Sequence, residues 1–218
     1  PGFFLGTTFY LYVINVLSGI SWSVHDDREH YGMLKYVYMA PMHFYGYLLG
    51  RGAAKTLVAT VSVLITLAFG IGILGVPLRF HNPGFFILAF VLGLVALSFY
   101  GIFLAGISLL IARHGWVLGD VVAGGLYLLC GVAYPLSLLP LPLRALGYIF
   151  PPTYWFEALR FSLLGQGLHP EFAHFSPGAL LLILGGSTAL GIGLSLLVFK
   201  VSERIALRRG LLDMQTMY

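Results

Sequence analysis

Charge is the scarcest property of this 218-residue sequence: Asp, Glu, Lys and Arg make up 9% of it, against 59% hydrophobic residues. About a quarter is usual for soluble domains, so a water-soluble globular chain is excluded and an integral membrane protein is implied. Cysteine is nearly absent as well. Cys130 stands alone in an apolar run, which excludes an internal disulfide and a cysteine-based metal cluster. The short alternating segments of a β-barrel are missing, so the expected fold is all-α, a polytopic membrane helical bundle. Basic residues are few, and apart from a stripe of Lys200, Arg204 and Arg208, spaced by four after the last apolar run, they do not gather. The 12 Lys and Arg that leave a net charge of +4 scatter at helix ends, which suits orientation in a bilayer and not a nucleic-acid surface. The first residue is Pro1, and no basic stretch with a cleavage site precedes the first apolar run, so a trimmed chain is expected.

What the sequence has in quantity is long apolar runs. Five of them, 2–24, 53–75, 84–112, 117–139 and 177–199, approach or exceed the length that crosses a hydrocarbon core of roughly 30 Å. The 28 glycines and 15% aromatic residues fit helices that pack closely and anchor at the water interface. The first run has no charge but is the most polar of the five, with Thr7, Thr8, Asn15 and Ser18. An intramembrane amide usually faces other helices or a cavity, so Asn15 is expected to bond a neighbouring helix, with substrate contact as the alternative. Asp120 falls near the start of the fourth run, where a carboxylate suits the helix dipole, and is expected to act as a cap.

Between the first two runs lies a region, 25–52, in which charges lead straight into aromatic residues: HDDREHYGMLKYVYMAPMHFYGYLLGRG. Asp26, with Glu29 three residues later, predicts a capping box at a helix start. Capping accounts for His25, Asp26, Asp27, Glu29 and His30 better than a metal site does, and none is assigned. A rival reading makes 31–49 a membrane span. It would place Lys35 and Pro41 within the crossing, and a central Lys costs about 2.5–3.5 kcal/mol on the insertion scale. A cytoplasmic segment is therefore preferred. With the C-terminal tail inside, Arg28, Lys35, Arg51, Lys55, Arg113, Lys200, Arg204, Arg208 and Arg209 share the cytoplasmic side, against Arg79, Arg144 and Arg160 outside. Tracing back through five spans puts Pro1 outside, so a preceding span is expected.

The stretch 135–167 differs from the rest. Pro135, Pro140, Pro142, Pro151 and Pro152 prevent a single helix and predict short broken helices, re-entrant or interfacial on the outer side. Glu157 and Arg160, three apart, can pair on one helix face. Two nucleotide-like strings do not hold. Gly70, Gly72 and Gly75 lie in an apolar run with no strand before them, and GRGAAKT has Ala54 and Leu49 where a phosphate loop needs glycine. The chain is not expected to bind ATP itself. His169, Glu171 and His174 lack the H-E-x-x-H spacing and read as a solvated loop.

The order of two strings resembles a known family. Asp27, Glu29, Gly32, Leu34, Pro41, Leu49, Gly50 and Arg51 fit its first motif, with Met33 where Thr is usual. Pro135, Leu139, Pro140, Pro152, Tyr154, Glu157, Ala158 and Arg160 fit the second. Over nearly the whole chain the sequence is similar to the ABC-2 family of exporter permeases. The resemblance implies six spans, a cytoplasmic coupling helix and broken outer helices. It also implies two permeases paired with a separate ATPase that carries the ATP and Mg, and no cofactor on this chain. It assigns Glu29, Met33, Leu34 and Lys35 to the ATPase contact, with Asp27, Arg28 and Gly32 supporting the coupling segment. It places Tyr12, Asn15, Tyr127 and Cys130 along a translocation path between the first and fourth runs, and Val132, Ala133 and Tyr134 at an apolar gate. The implied cargo is a hydrophobic drug, a lipid or a glycan, and the implied setting is the cytoplasmic membrane. Two other classes compete: a membrane-embedded enzyme using Glu157, Arg160, His169, Glu171 and His174, and a proton-coupled carrier using Asp120.

Overall fold

The computed structural model describes residues 1–41, 43–78, 81–111, 115–165, 167, 172 and 175–210, with the backbone alone at 116. Among these the chain is helical, without strands. Helix α1, Gly2–Glu29, contains a π-helical segment at Val13–Ser18. It is followed by α2 (Leu34–Met39), α3 (Phe44–Gly72), α4 (Pro83–Leu110), α5 (Gly115–Leu129), α6 (Leu141–Ile149), α7 (Pro151–Leu164) and α8 (Pro177–Arg208). Four of these, α1, α3, α4 and α8, are long and apolar enough to cross a membrane.

The long helices begin where local chemistry satisfies their first N–H groups. Asn82 Oδ1 accepts from the Phe85 amide at 3.0 Å and Ser176 Oγ from the Ala179 amide at 3.2 Å, each followed by a proline at the first helical position. Burial separates a hub from a rim. In the most apolar window of α1, 67% of residues are buried inside the protein, against 17% in α3 and in α8. Helix α1 is therefore the centre of the bundle, and the leucines and valines of α3 and α8 face outward, where lipid would cover them. Helices α4 and α8 pack together more extensively than any other pair. Phe9, Tyr12, Phe90 and Trp155 interlock as an aromatic core between α1, α4 and α7, with edge-to-face pairs among them.

Three expectations need correction. The acids at 26–29 close α1 instead of opening a helix, so the capping box does not form: His30 caps that end and its amide donates to the Asp26 carbonyl. The fourth run does not stay helical to Leu139. Helix α5 ends at Leu129, and Gly131, at φ +61°, turns the chain into a conformation that side-chain-bearing residues rarely adopt. Asp120 lies in the second turn of α5 and is exposed, so it does not cap. The rival span over 31–49 is interrupted as well, because Ala40 is extended and α3 starts only at Phe44.

The broken stretch is present as expected. A 3-10 turn at Leu136–Leu138 leads into α6 and α7, each with proline at its start. The two differ sharply in burial. Leu141 and Ile149 of α6 are exposed, while α7 buries Trp155, Phe156, Leu159 and Leu163 in the core.

Candidate functional site

The described Lys and Arg divide between two ends of the bundle. Arg28, Lys35, Arg51, Lys55, Lys200, Arg204, Arg208 and Arg209 lie at the end where α1 finishes and α3 begins, and Arg144 and Arg160 lie at the proline-rich end.

At the charged end, the acids in the last turn of α1 face the negative pole of the helix dipole, an unfavourable place unless cations answer them. Two arginines do so. Asp27, 1% exposed, accepts from Arg51 and from the Tyr47 hydroxyl at 2.5 Å, both from the first two turns of α3. Arg28, equally buried, donates to the Ile111 carbonyl at 3.0 Å, at the end of α4, and lies 3.3 Å from the Glu29 carboxylate. The end of α1 is thereby tied to α3 and α4 at once. Hydrogen bonds to charged groups contribute about 1.5–3 kcal/mol each, so this is a firm junction.

Just beyond it, Gly32 at φ +56° reverses the chain into α2. The Met33 amide donates to the Asp27 carbonyl at 2.8 Å, so α2 hangs directly from the junction. Of the residues assigned to a partner contact, Met33 and Lys35 are exposed, with Tyr36 and Met39 beside them. Leu34 is not available: it is 1% exposed and anchors α2 in the core. Glu29 is largely buried beside Arg28. The other face of α2 meets α8, where burial and the nearby Glu203 carboxylate both push the Tyr38 hydroxyl up from its ordinary range.

Between α1, α3 and α5, on the charged half of the bundle, a cleft of about 210 Å³ opens. Asn15, Ser18, Trp22 and Asp26 of α1, Arg51 and Lys55 of α3, and Asp120 of α5 line it. Gly119 makes the crossing of α1 and α5 tight, since a Cβ there would sit 2.9 Å from the Ser18 Cα. Sequence reading singled out Asn15 and Asp120 but missed Lys55. Its one signal was Arg51 four residues earlier, on the same helix face.

The path residues divide. Asn15 donates to the Leu11 carbonyl of its own helix at 2.8 Å, inside the π-helical stretch, so the expected bond to a neighbouring helix does not form. Tyr12 points into the core and donates to Thr60 Oγ1 of α3 at 2.9 Å. Cys130 is fully buried, and Tyr127 packs edge-to-face on Tyr10 at 4.8 Å between ring centres. Tyr10, which sequence reading passed over, also donates to the Ala123 carbonyl at 2.7 Å and so joins α1 to α5.

At the proline-rich end, Arg160 organises the break. It donates to Gly2 at 3.0 Å, Gly131 at 3.1 Å and Val132 at 2.6 Å, all backbone carbonyls, and lies 3.7 Å from Glu157. The expected pair is present, and both members are at most 2% exposed. Gly6 leaves room for it, because a Cβ there would fall onto the Val132 carbonyl and the Arg160 guanidinium. Of the gate residues, Val132 is fully buried and held through its carbonyl, while Ala133 and Tyr134 are half-buried and the Tyr134 hydroxyl donates to Leu128. His169, Glu171 and His174 lie outside the described residues, as do Arg79 and Arg113.

A second, wholly different cavity of about 410 Å³ lies among Leu17, Phe103, Leu104, Leu126, Phe150 and Leu194. The family model described as ABC-2 type transporter matches residues 2–164, that is 163 of the 218 residues. No curated protein matches the chain.

Proposed function

The chain belongs to the ABC-2 type transporter family, and from that premise we propose that it is the permease subunit of an ATP-driven exporter. It pairs with a second permease, a copy or a paralogue, in the cytoplasmic membrane with its C-terminal tail inside. A separate ATPase subunit supplies ATP and Mg chemistry.

The observation that carries this reading is the exposed face of α2. Met33, Tyr36 and Met39 are at least half exposed, yet the helix that bears them is anchored by Leu34 and suspended from the Asp27 junction. An apolar, aromatic surface on a fixed mount suits a partner protein better than water. Force applied to α2 reaches α1 through the Met33 to Asp27 bond, and α1 is the hub of the bundle. The path lies where α1 and α5 of two permeases face each other. Ile14 and, on α5, Val121 and Leu128 are exposed there. The apolar character of that face, and of the 410 Å³ cavity, supports a hydrophobic drug or lipid as cargo over a glycan.

The test is transport. Vesicles holding the full-length permease with its ATPase export a fluorescent hydrophobic probe when ATP is inside the ATPase compartment, and a Walker-lysine substitution in the ATPase stops export. Transport by the permease alone, driven by a proton gradient and abolished by Asp120→Asn, would establish the carrier instead.

A further inference from the structure

We infer that the polar cleft between α1, α3 and α5 binds the headgroup of a zwitterionic phospholipid. The inference deepens the exporter reading by assigning a lipid site on the same face of α1 and α5, and rests on it only for the orientation of that face.

The charges in the cleft are not all used internally. Arg51 is bonded to Asp27, and Asp26 lies 3.3 Å from His30. Among the described residues, Lys55 and Asp120 make no ion pair or hydrogen bond, either with each other or with anything else, although both line this space from different helices. The Lys55 stem lies across Gly19, where a Cβ would come within 3.0–3.3 Å of its methylenes. Lys55 is exposed, and its stem runs along α1 where it lines the cleft. A third group points the same way: Ser18 lines the cleft, is 4% exposed, and has a buried hydroxyl with no partner among the described residues.

A free cation and a free anion facing one small space match a ligand that carries both signs. A phosphate meets Lys55, with Arg51 beside it as a planar donor. An ammonium meets Asp120, with the Trp22 ring in the wall to receive it by cation–π attraction. Size narrows the choice. Drug-sized ligands fill roughly 300–1,000 Å³, and this cleft of about 210 Å³ accommodates a headgroup but not a whole amphiphile. Position narrows it further. The cleft lies on the charged half of the bundle, and its apolar wall begins at Ile14, toward the middle of α1, where acyl chains would run.

The test is native mass spectrometry of the full-length permease, without ATPase or ATP, released from nanodiscs of equal phosphatidylethanolamine and phosphatidylglycerol. The wild type is expected to retain phosphatidylethanolamine in preference. Asp120→Asn should lower that preference by about fivefold, the upper scale of one partly exposed charge contact, and Asp120→Glu should restore it. Lys55→Gln should lower retention of both lipids. Equal retention of the two lipids by the wild type, or the same preference in Asp120→Asn, would overturn the site. So would a dimer that retains neither lipid, which would mean that a second permease fills the cleft. Because no ATPase is present, this outcome is independent of whether the exporter reading survives its own transport test.

Discussion

Each end of the bundle holds a buried arginine that donates to carbonyls where a helix stops, but the two arginines serve different neighbours. Arg160 binds Gly2, Gly131 and Val132 and sits on α7, a helix whose side chains are nearly all buried. Arg28 binds the end of α4 and stands six residues before α2, whose outward face is exposed. At one end the backbone break is sealed inside the protein. At the other, an equally fixed junction presents a surface. The same device therefore seals the backbone break at the proline-rich end and, at the charged end, fixes the junction from which the exposed face of α2 hangs.

The largest effect should come from breaking the sealed end. Arg160→Met leaves Glu157 without its paired arginine and strips three carbonyls of their donor. Losing one member of a buried pair costs about 3–5 kcal/mol, so thermal unfolding in detergent should shift down sharply. Adding Glu157→Gln should recover part of the loss, and failure to recover any would mean that the carbonyl bonds carry the whole effect. A smaller loss, about 1–3 kcal/mol, is expected for Asp27→Asn, which weakens the bonds to Tyr47 and Arg51 while keeping the shape. It should also loosen α2, visible as faster amide exchange at 31–39. The smallest change in stability, within about 0.5 kcal/mol, is expected for Tyr36→Ser with Met39→Ser, since both side chains are exposed. That variant should nevertheless lose ATP-driven export. Equal loss of stability from the Tyr36 and Asp27 variants would erase the distinction between mount and surface.

Much of this was legible because hydrophobic length and proline position act locally. The runs at 2–24, 53–75, 84–112 and 177–199 become α1, α3, α4 and α8, and the prolines of 135–167 break the chain where their rings forbid a helix. The Glu157 and Arg160 pair was legible for the same reason, being three residues apart on one helix. What failed was whatever depends on a distant neighbour. Asp26 to Glu29 has the spacing of a helix start, but its acids are tolerated at a helix end because Arg51 and Tyr47 arrive from α3, about 20 residues away in the chain. Tyr12 reads as a polar group in a path, yet Thr60 draws it into the core. Leu34 sits in the motif that suggests a partner contact, and only tertiary packing shows that it anchors α2. The π-helical turn at Val13–Ser18 has no sequence signature, and with it the local role of Asn15 was out of reach.

The central claim is that the exposed face of α2 meets an ATPase subunit and moves with it. Site-specific cross-linking tests this most directly, with Met33→Cys in a Cys130→Ala background of the full-length permease expressed with its ATPase. Met33 is half exposed and so open to reagent, whereas Cys130 is fully buried, and Cys130→Ala removes a single core sulfur, so the fold should form at some cost in stability. The account predicts an adduct to the ATPase whose yield changes when ATP is added. A cysteine at 33 that resists water-soluble thiol reagents and yields no adduct with the ATPase present would contradict it.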